Sequence, residues 1–283
     1  MTDGSSPRLL ALDLDGTILS PDLRLDQRDV DAVGRALRAG WDVVACTGRP
    51  YPGAVPWTRR IGLSGPIVCY QGAQVRAADG DMMLDHGVPH ELAMEVVDLC
   101  RSRDLHVQAY RDDRMIVDRD RPEAQAYAHH AGMEVNVVGD LDVGMGPTTP
   151  KLVVVADEDV VNRLLPEFRE RWEGRLNAAT SMPTYLEMTS VAADKRSALE
   201  FLCRRIGVTA ERAVAVGDGR NDVTMIAWAG VGYAVRGAAP EVVEAARGRT
   251  VGPPGTGGIA QMIAGLFDEE RGLAADRPDG ARS

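Results

Sequence analysis

Asp13 and Asp15 close an apolar run, Arg8-Leu-Leu-Ala-Leu-Asp-Leu14, and are followed at once by Gly16 and Thr17. In an extended chain alternate side chains point to one side, so both carboxylates are able to approach a common point. Two such charges repel, and a hard divalent cation with oxygen ligands relieves that repulsion. Gly16 lets the chain turn sharply and present backbone N–H groups to an anion. The competing reading is a solvated turn after a strand.

Two further clusters close apolar runs. Thr47-Gly48-Arg49 follows Trp41–Cys46 and offers a hydroxyl and backbone amides to phosphate oxygens, although a Thr-Gly pair alone is commonly just a turn. Gly217-Asp218-Gly-Arg-Asn221-Asp222 follows the run Ala213–Val216, opens a helix, and adds oxygen ligands for a cation. Taken singly it reads equally well as a turn with an Asp or Asn cap. Lys195, near a helix start, is by itself an ordinary surface lysine. Ligands of an open parallel sheet bind outside the carboxyl ends of its strands, so three strands ending in polar, glycine-bearing motifs define one candidate edge.

A parallel sheet is what must position these groups, and the rhythm of the chain supplies one. Arg8–Leu14, Trp41–Cys46 and Pro66–Tyr70 read as buried strands, and Asp26–Ala39 as an amphipathic helix with Gly40 in the C-terminal capping place. The pattern returns with a helix over Asp194–Ile206, a strand over Ala213–Val216, a helix over Asn221–Ala229, a strand over Val231–Val235 and a helix opened by Pro240. Strand, helix, strand connections favour a parallel sheet covered on both faces. The middle has another texture. Strands are predicted at His106–Tyr110, Met115–Asp118, Glu134–Val138, Lys151–Ala156 and Tyr185–Met188, with helices at His90–Arg103, Pro122–Ala131 and Asp159–Trp172. Hairpin-like pairing of the first two strands indicates a mixed or antiparallel sheet. The expected organisation is therefore a Rossmann-like α/β core over 1–81 and 188–270, an inserted α/β domain over 82–187, and a disordered tail over 271–283.

Composition narrows the partners. The formal charge of −10 argues against nucleic acid and anionic membranes, which reward clustered Lys and Arg. It also means that a phosphate-handling site must gather positive charge locally. Cys46, Cys69, Cys100 and Cys203 are widely spaced and read as buried thiols of a reducing compartment. With strand-sized apolar runs and a short polar start, the default location is the cytoplasm. The histidine pairs His86/His90 and His129/His130 suggest a metal site less well than the aspartates do. Gly230-Val-Gly precedes a strand instead of following one, so a dinucleotide-binding reading fails.

In order and spacing, Asp13-Leu-Asp-Gly-Thr17, Thr47-Gly-Arg49, Lys195 and Gly217-Asp-Gly-Arg-Asn-Asp222 resemble the four motifs of the haloacid dehalogenase superfamily. An insertion of about a hundred residues between the second and third motifs resembles the larger (C2-type) cap of its Cof-type, subclass IIB phosphatases. The resemblance implies a magnesium-dependent phosphatase of small phosphorylated metabolites, working through an aspartyl-phosphate on Asp13. Asp15 is then the general acid and base, its main-chain carbonyl a ligand of Mg²⁺ with Asp13, Asp218 and Asp222. Thr47, Gly48, Arg49 and Asn221 are implied to bind the substrate, and Lys195 to hold phosphoryl oxygens and the nucleophile. One departure stands out: the family commonly carries Asn-Gly before the cap, where this chain reads Gln71-Gly72. Two alternatives stay open, a phosphomannomutase-like phosphotransferase and a non-catalytic protein that binds phosphorylated metabolites.

Overall fold

A computed structural model of the chain describes residues 8–275. Contacts divide it into two compact units, one made of residues 8–47, 53–68 and 199–275, the other of 48–52 and 69–198.

The first unit is built on parallel strands in the order Thr250–Val251, Val231–Val235, Ala213–Gly217, Leu9–Leu12, Asp42–Cys46, Ile67–Cys69. Leu9–Leu12 is central and fully buried, which is why it reads as an unbroken apolar run with no alternation. Its last residue, Leu12, is in register with Val216 on one side and Ala45 on the other. The Asp13 N–H continues the ladder to Val216 O (3.0 Å), and the Thr47 N–H donates to Val68 O (2.9 Å). All three polar motifs therefore leave the sheet at one edge. Helix Gln27–Arg38 is capped by Asp26, whose carboxylate accepts from the Arg28 N–H (2.9 Å), and it ends at Gly40, φ +84°. Its buried Asp29 accepts from the Ala260 N–H (2.8 Å) near the start of helix Gly258–Ala275. That helix runs past Phe267, whose ring packs on Trp41 at 5.0 Å. It covers the first five residues of the segment predicted as a disordered tail; residues 276–283 lie outside the described residues. Among the described residues, no helix is long and apolar enough to cross a membrane.

The second unit carries a mixed sheet in the order Leu176–Met182, Tyr185–Ser190, Leu152–Val155, His106–Arg111, Arg114–Val117, Val135–Val137. All pairs are antiparallel except the last, Arg114–Val117 with Val135–Val137. Asp112 and Asp113, both at positive φ, make the two-residue turn between Arg111 and Arg114. Helices His90–Ser102 and Glu158–Arg171 contribute Val96, Val97, Val161 and Phe168 to a core shared with Val154 and Leu186.

This unit is wider than the 82–187 expected from the sequence. The hairpin of Gln74–Arg76 and Met82–Asp85 belongs to it, tied by the Arg76–Asp113 ion pair (3.2 Å) and by the Thr148 hydroxyl on Asp85 (2.7 Å). The strand predicted over Pro66–Tyr70 ends at Cys69 because Tyr70 turns into the left-handed region, φ 49°.

His106 makes the stability of this unit pH-dependent. It is buried on its strand with Nε2 3.2 Å from Gln108 Oε1, and burial holds its pKa below the ordinary 6.5. An unfolded chain takes up a proton near pH 6.5 that the folded chain refuses, so stability is full above that pH and falls as the pH drops below it. Urea unfolding should show a slope of at most about 1.4 kcal/mol per pH unit from this group. His106→Leu should flatten it; an unchanged slope would assign the acid sensitivity elsewhere.

Candidate active site

At the carboxyl edge of the first unit, Asp13, Asp218 and Asp222 each bring an oxygen within 4.8 Å of the other two. Asp13 and Asp222 are buried, and Asp218 is half-buried. At an effective dielectric constant of about 20, each ionised pair at that spacing repels by about 3 kcal/mol. An all-oxygen donor set of this charge fits a hard divalent cation such as Mg²⁺.

The chain is shaped to create this crowding. Leu14 O accepts from the Ile18 and Leu19 N–H groups (3.1 and 2.8 Å), and Gly16 sits at φ +79° inside the resulting loop. A β-carbon on Gly16 would lie 2.2 Å from Asp218 Oδ2, so the glycine's empty side is what admits the carboxylate. Thr17 Oγ1 donates to Asp218 Oδ1 (3.0 Å) and so orients that side chain. Asp222 Oδ2 accepts from the N–H groups of Asp218 (3.1 Å) and Gly219 (2.9 Å), which closes the loop that carries Asp218. A β-carbon on Gly217 would meet Asp222 Cγ at 2.3 Å, a second place where absent side-chain volume makes room for a carboxylate.

The remaining predicted residues fall into two groups. In the first unit, Thr47 is buried at the same sheet edge, Asp15 is exposed with its carboxylate outside the trio, and Asn221 is exposed with Oδ1 over Gly219. In the second unit, Gly48, Arg49 and Lys195 gather around the turn Tyr70-Gln71-Gly72. The Tyr70 N–H donates to Arg49 O (3.0 Å), and Gly48 faces Gln71 Cγ. Gly72, φ +98°, packs on the backbone of Asp194 and Lys195, where a β-carbon would lie 2.2 Å from Asp194 C. Lys195 opens helix Lys195–Ile206 and is fully buried, unlike an ordinary surface lysine.

Sequence reasoning missed the hydrogen bond of Thr17 to Asp218 and the buried ion pair of Lys151 with Glu187 (2.9 Å). Thr17 lay inside the first motif, and its reach to Asp218 needs the neighbouring strands side by side. Lys151 and Glu187 carry no local signal, since only strand pairing brings them together.

An α/β unit whose parallel sheet gathers aspartates at its carboxyl edge, with a second α/β unit inserted in the chain, defines a Rossmann-like α/β protein with an acidic site at its strand ends. The match of the haloacid dehalogenase-like hydrolase family to residues 10–263 makes the assignment specific: the chain belongs to that family. It is 26% identical over 235 residues to the HMP-PP phosphatase of Serratia proteamaculans, covering 83% of this chain and 86% of that protein. It is 26% identical over 275 residues to the pyridoxal phosphate phosphatase YbhA of Escherichia coli, covering 90% and 97%. Among solved structures, a haloacid dehalogenase-like hydrolase from Bacteroides thetaiotaomicron superposes with a TM-score of 0.82 at 27% identity, covering 93% of this chain and all of that one. A structure from Thermotoga maritima gives a TM-score of 0.83 at 27% identity, covering 92% and 97%.

Proposed function

We propose that the protein is a Mg²⁺-dependent phosphomonoesterase of small phosphorylated metabolites, acting through an aspartyl-phosphate on Asp13. The observation that carries this reading is the trio of Asp13, Asp218 and Asp222 at the ends of neighbouring parallel strands. Relatives named as phosphatases of HMP-PP, of pyridoxal phosphate and of 5-amino-6-(5-phospho-D-ribitylamino)uracil support the substrate class.

In this mechanism a carboxylate oxygen of Asp13 attacks phosphorus as the bond to the leaving oxygen breaks. Asp15 protonates that oxygen. Water then attacks the phosphorus of the acyl phosphate, Asp15 takes up its proton, and inorganic phosphate leaves with the Asp13 carboxylate restored. Asp15 is exposed, as a group that meets substrate and water must be. Thr47, Gly48, Arg49 and Asn221 bind the phosphoryl group, and the buried ammonium of Lys195 neutralises its charge. Asp13, Asp218, Asp222 and the Asp15 carbonyl would hold Mg²⁺, and the ion would supply positive charge to the phosphoryl oxygens.

Phosphate release from p-nitrophenyl phosphate tests the proposal. Dialysis against EDTA should reduce the rate to background, and Mg²⁺ should restore it. Undiminished release from metal-free protein refutes the dependence on a cation. A panel of sugar phosphates and phosphorylated cofactors then ranks the substrates.

A further inference from the structure

The hairpin of Gln74–Arg76 and Met82–Asp85, the Asp112-Asp113 turn and residues 146–150 line a cavity of about 480 Å³. That volume lies within the ordinary range of small-molecule sites. Every lining residue belongs to the second unit.

The charged groups of the wall are already satisfied by the protein itself. Arg76 donates through Nε to Gly80 O (2.7 Å), pairs with Asp113 (3.2 Å) and lies over the Tyr51 ring at 4.9 Å. Arg111 Nη1 donates to Gly144 O (2.9 Å), and its Nε lies 3.5 Å from Asp112. Asp85 accepts from the Thr148 hydroxyl (2.7 Å) and from the Gly87 N–H (2.9 Å). Two arginines against three aspartates leave no surplus of positive charge, so an anion taken from water finds no counter-ion here.

What the protein leaves unmet is neutral. Gln74 is 7% exposed and lines the cavity, yet among the described residues its carboxamide makes no hydrogen bond, and Oε1 is buried without a partner. The Tyr70 hydroxyl, in the same wall, is also buried outside hydrogen-bond geometry to any described group. Burial, with the Asp113 carboxylate adding to it, raises the Tyr70 pKa and keeps that hydroxyl protonated. Buried polar groups are nearly always hydrogen-bonded, because an unmet one gives up its water for nothing. A carboxamide retained in a cavity wall therefore asks for a partner from outside the chain. A half-turn about its last side-chain bond exchanges Oε1 with Nε2, so Gln74 can offer the cavity an acceptor or a donor. A hydroxyl group answers both, since it donates and accepts. Met82 and Pro147 add exposed apolar surface to the same wall, which suits a molecule with carbon faces between its hydroxyls.

We propose that this cavity binds a neutral, unphosphorylated sugar or polyol, with the Gln74 carboxamide as its principal hydrogen-bonding group. The site belongs to the second unit alone and does not depend on the phosphatase reading.

The full chain labelled with ¹³C-methyl methionine tests it, titrated in turn with D-glucose, D-ribose and glycerol. Met82 lines the cavity, and its methyl signal is identified by its loss in Met82→Leu. At least one of the three compounds should move that signal saturably, and inorganic phosphate at the same concentrations should not. Gln74→Leu should weaken the binding by about threefold to tenfold, the worth of one neutral hydrogen bond. Should that variant misfold, Gln74→Asn, which draws the carboxamide back by one methylene, takes its place with the same expected loss. A Met82 signal that none of the three compounds moves, or that phosphate moves in their stead, overturns the proposal. Binding of unchanged strength in the folded Gln74 variant overturns it equally.

Discussion

Asp13→Asn is expected to yield a folded protein whose phosphate release falls by about a thousandfold or more, because the amide is no nucleophile toward phosphorus. Stability should move the other way. Asp13 is buried, with oxygens of Asp218 and Asp222 within 4.8 Å, and the substitution removes one of three mutually repelling charges with almost no change of shape. In metal-free buffer the urea midpoint should therefore hold or rise. In saturating Mg²⁺ the gain should vanish, since wild type then has a cation to bind and the variant has lost a ligand. Loss of activity with preserved or raised metal-free stability is the signature of a residue kept for chemistry. A variant retaining activity within tenfold of wild type would sink the nucleophile assignment.

The second large effect comes from a single methyl group. Gly16→Ala places a β-carbon 2.2 Å from Asp218 Oδ2 and 2.7 Å from its Cγ, on a backbone at φ +79°. The left-handed conformation costs a non-glycine residue about 1–2 kcal/mol, and overpacking typically adds about 1–3 kcal/mol. Rotation of the Asp218 carboxylate to relieve that contact would take it off Thr17 Oγ1 and out of the trio. Mg²⁺ affinity should then fall by about tenfold to a hundredfold, the usual effect of disturbing a ligand's support. Gly40→Ala is the control. Gly40 has a similar φ of +84°, but a β-carbon there meets nothing within 4 Å. It should show the backbone cost with activity intact. Equal metal affinity in the two variants would mean that the close approach to Asp218 is not what organises the cation site.

How far the sequence could be read depended on whether the signal was local. The Leu9–Leu12 strand was plain, because burial on both faces of a parallel sheet demands an unbroken apolar run. The helix Pro122–Ala131 matches its predicted bounds, with proline at its start and Gly132 closing it at φ 64°. The strand Leu176–Met182 went unseen: Asn177, Ala178 and Ala179 give it little β character, and it exists because Tyr185–Ser190 offers an antiparallel partner. The second compact unit also takes in residues 69–81, outside the 82–187 read from the sequence, for a related reason. Nothing along the segment 69–81 shows that Arg76 will pair with Asp113 or that Tyr70 will pack on Tyr110.

The candidate site divides in the same way. Asp13, Asp218 and Asp222 were marked by the combination of three polar, glycine-bearing strand ends and by the resemblance of their order to a family's motifs, since each motif alone reads equally well as a turn. Each of the family's motifs lies within a short segment, and short segments are what a sequence displays. Tertiary structure decided that Thr17 orients Asp218, that Lys195 is buried, and that Gln71 donates to Glu187, itself paired with Lys151. Those relations join residues on separate strands and turns. Strand register and the volume left empty at a few glycines create them, and both come into being only when the sheets assemble.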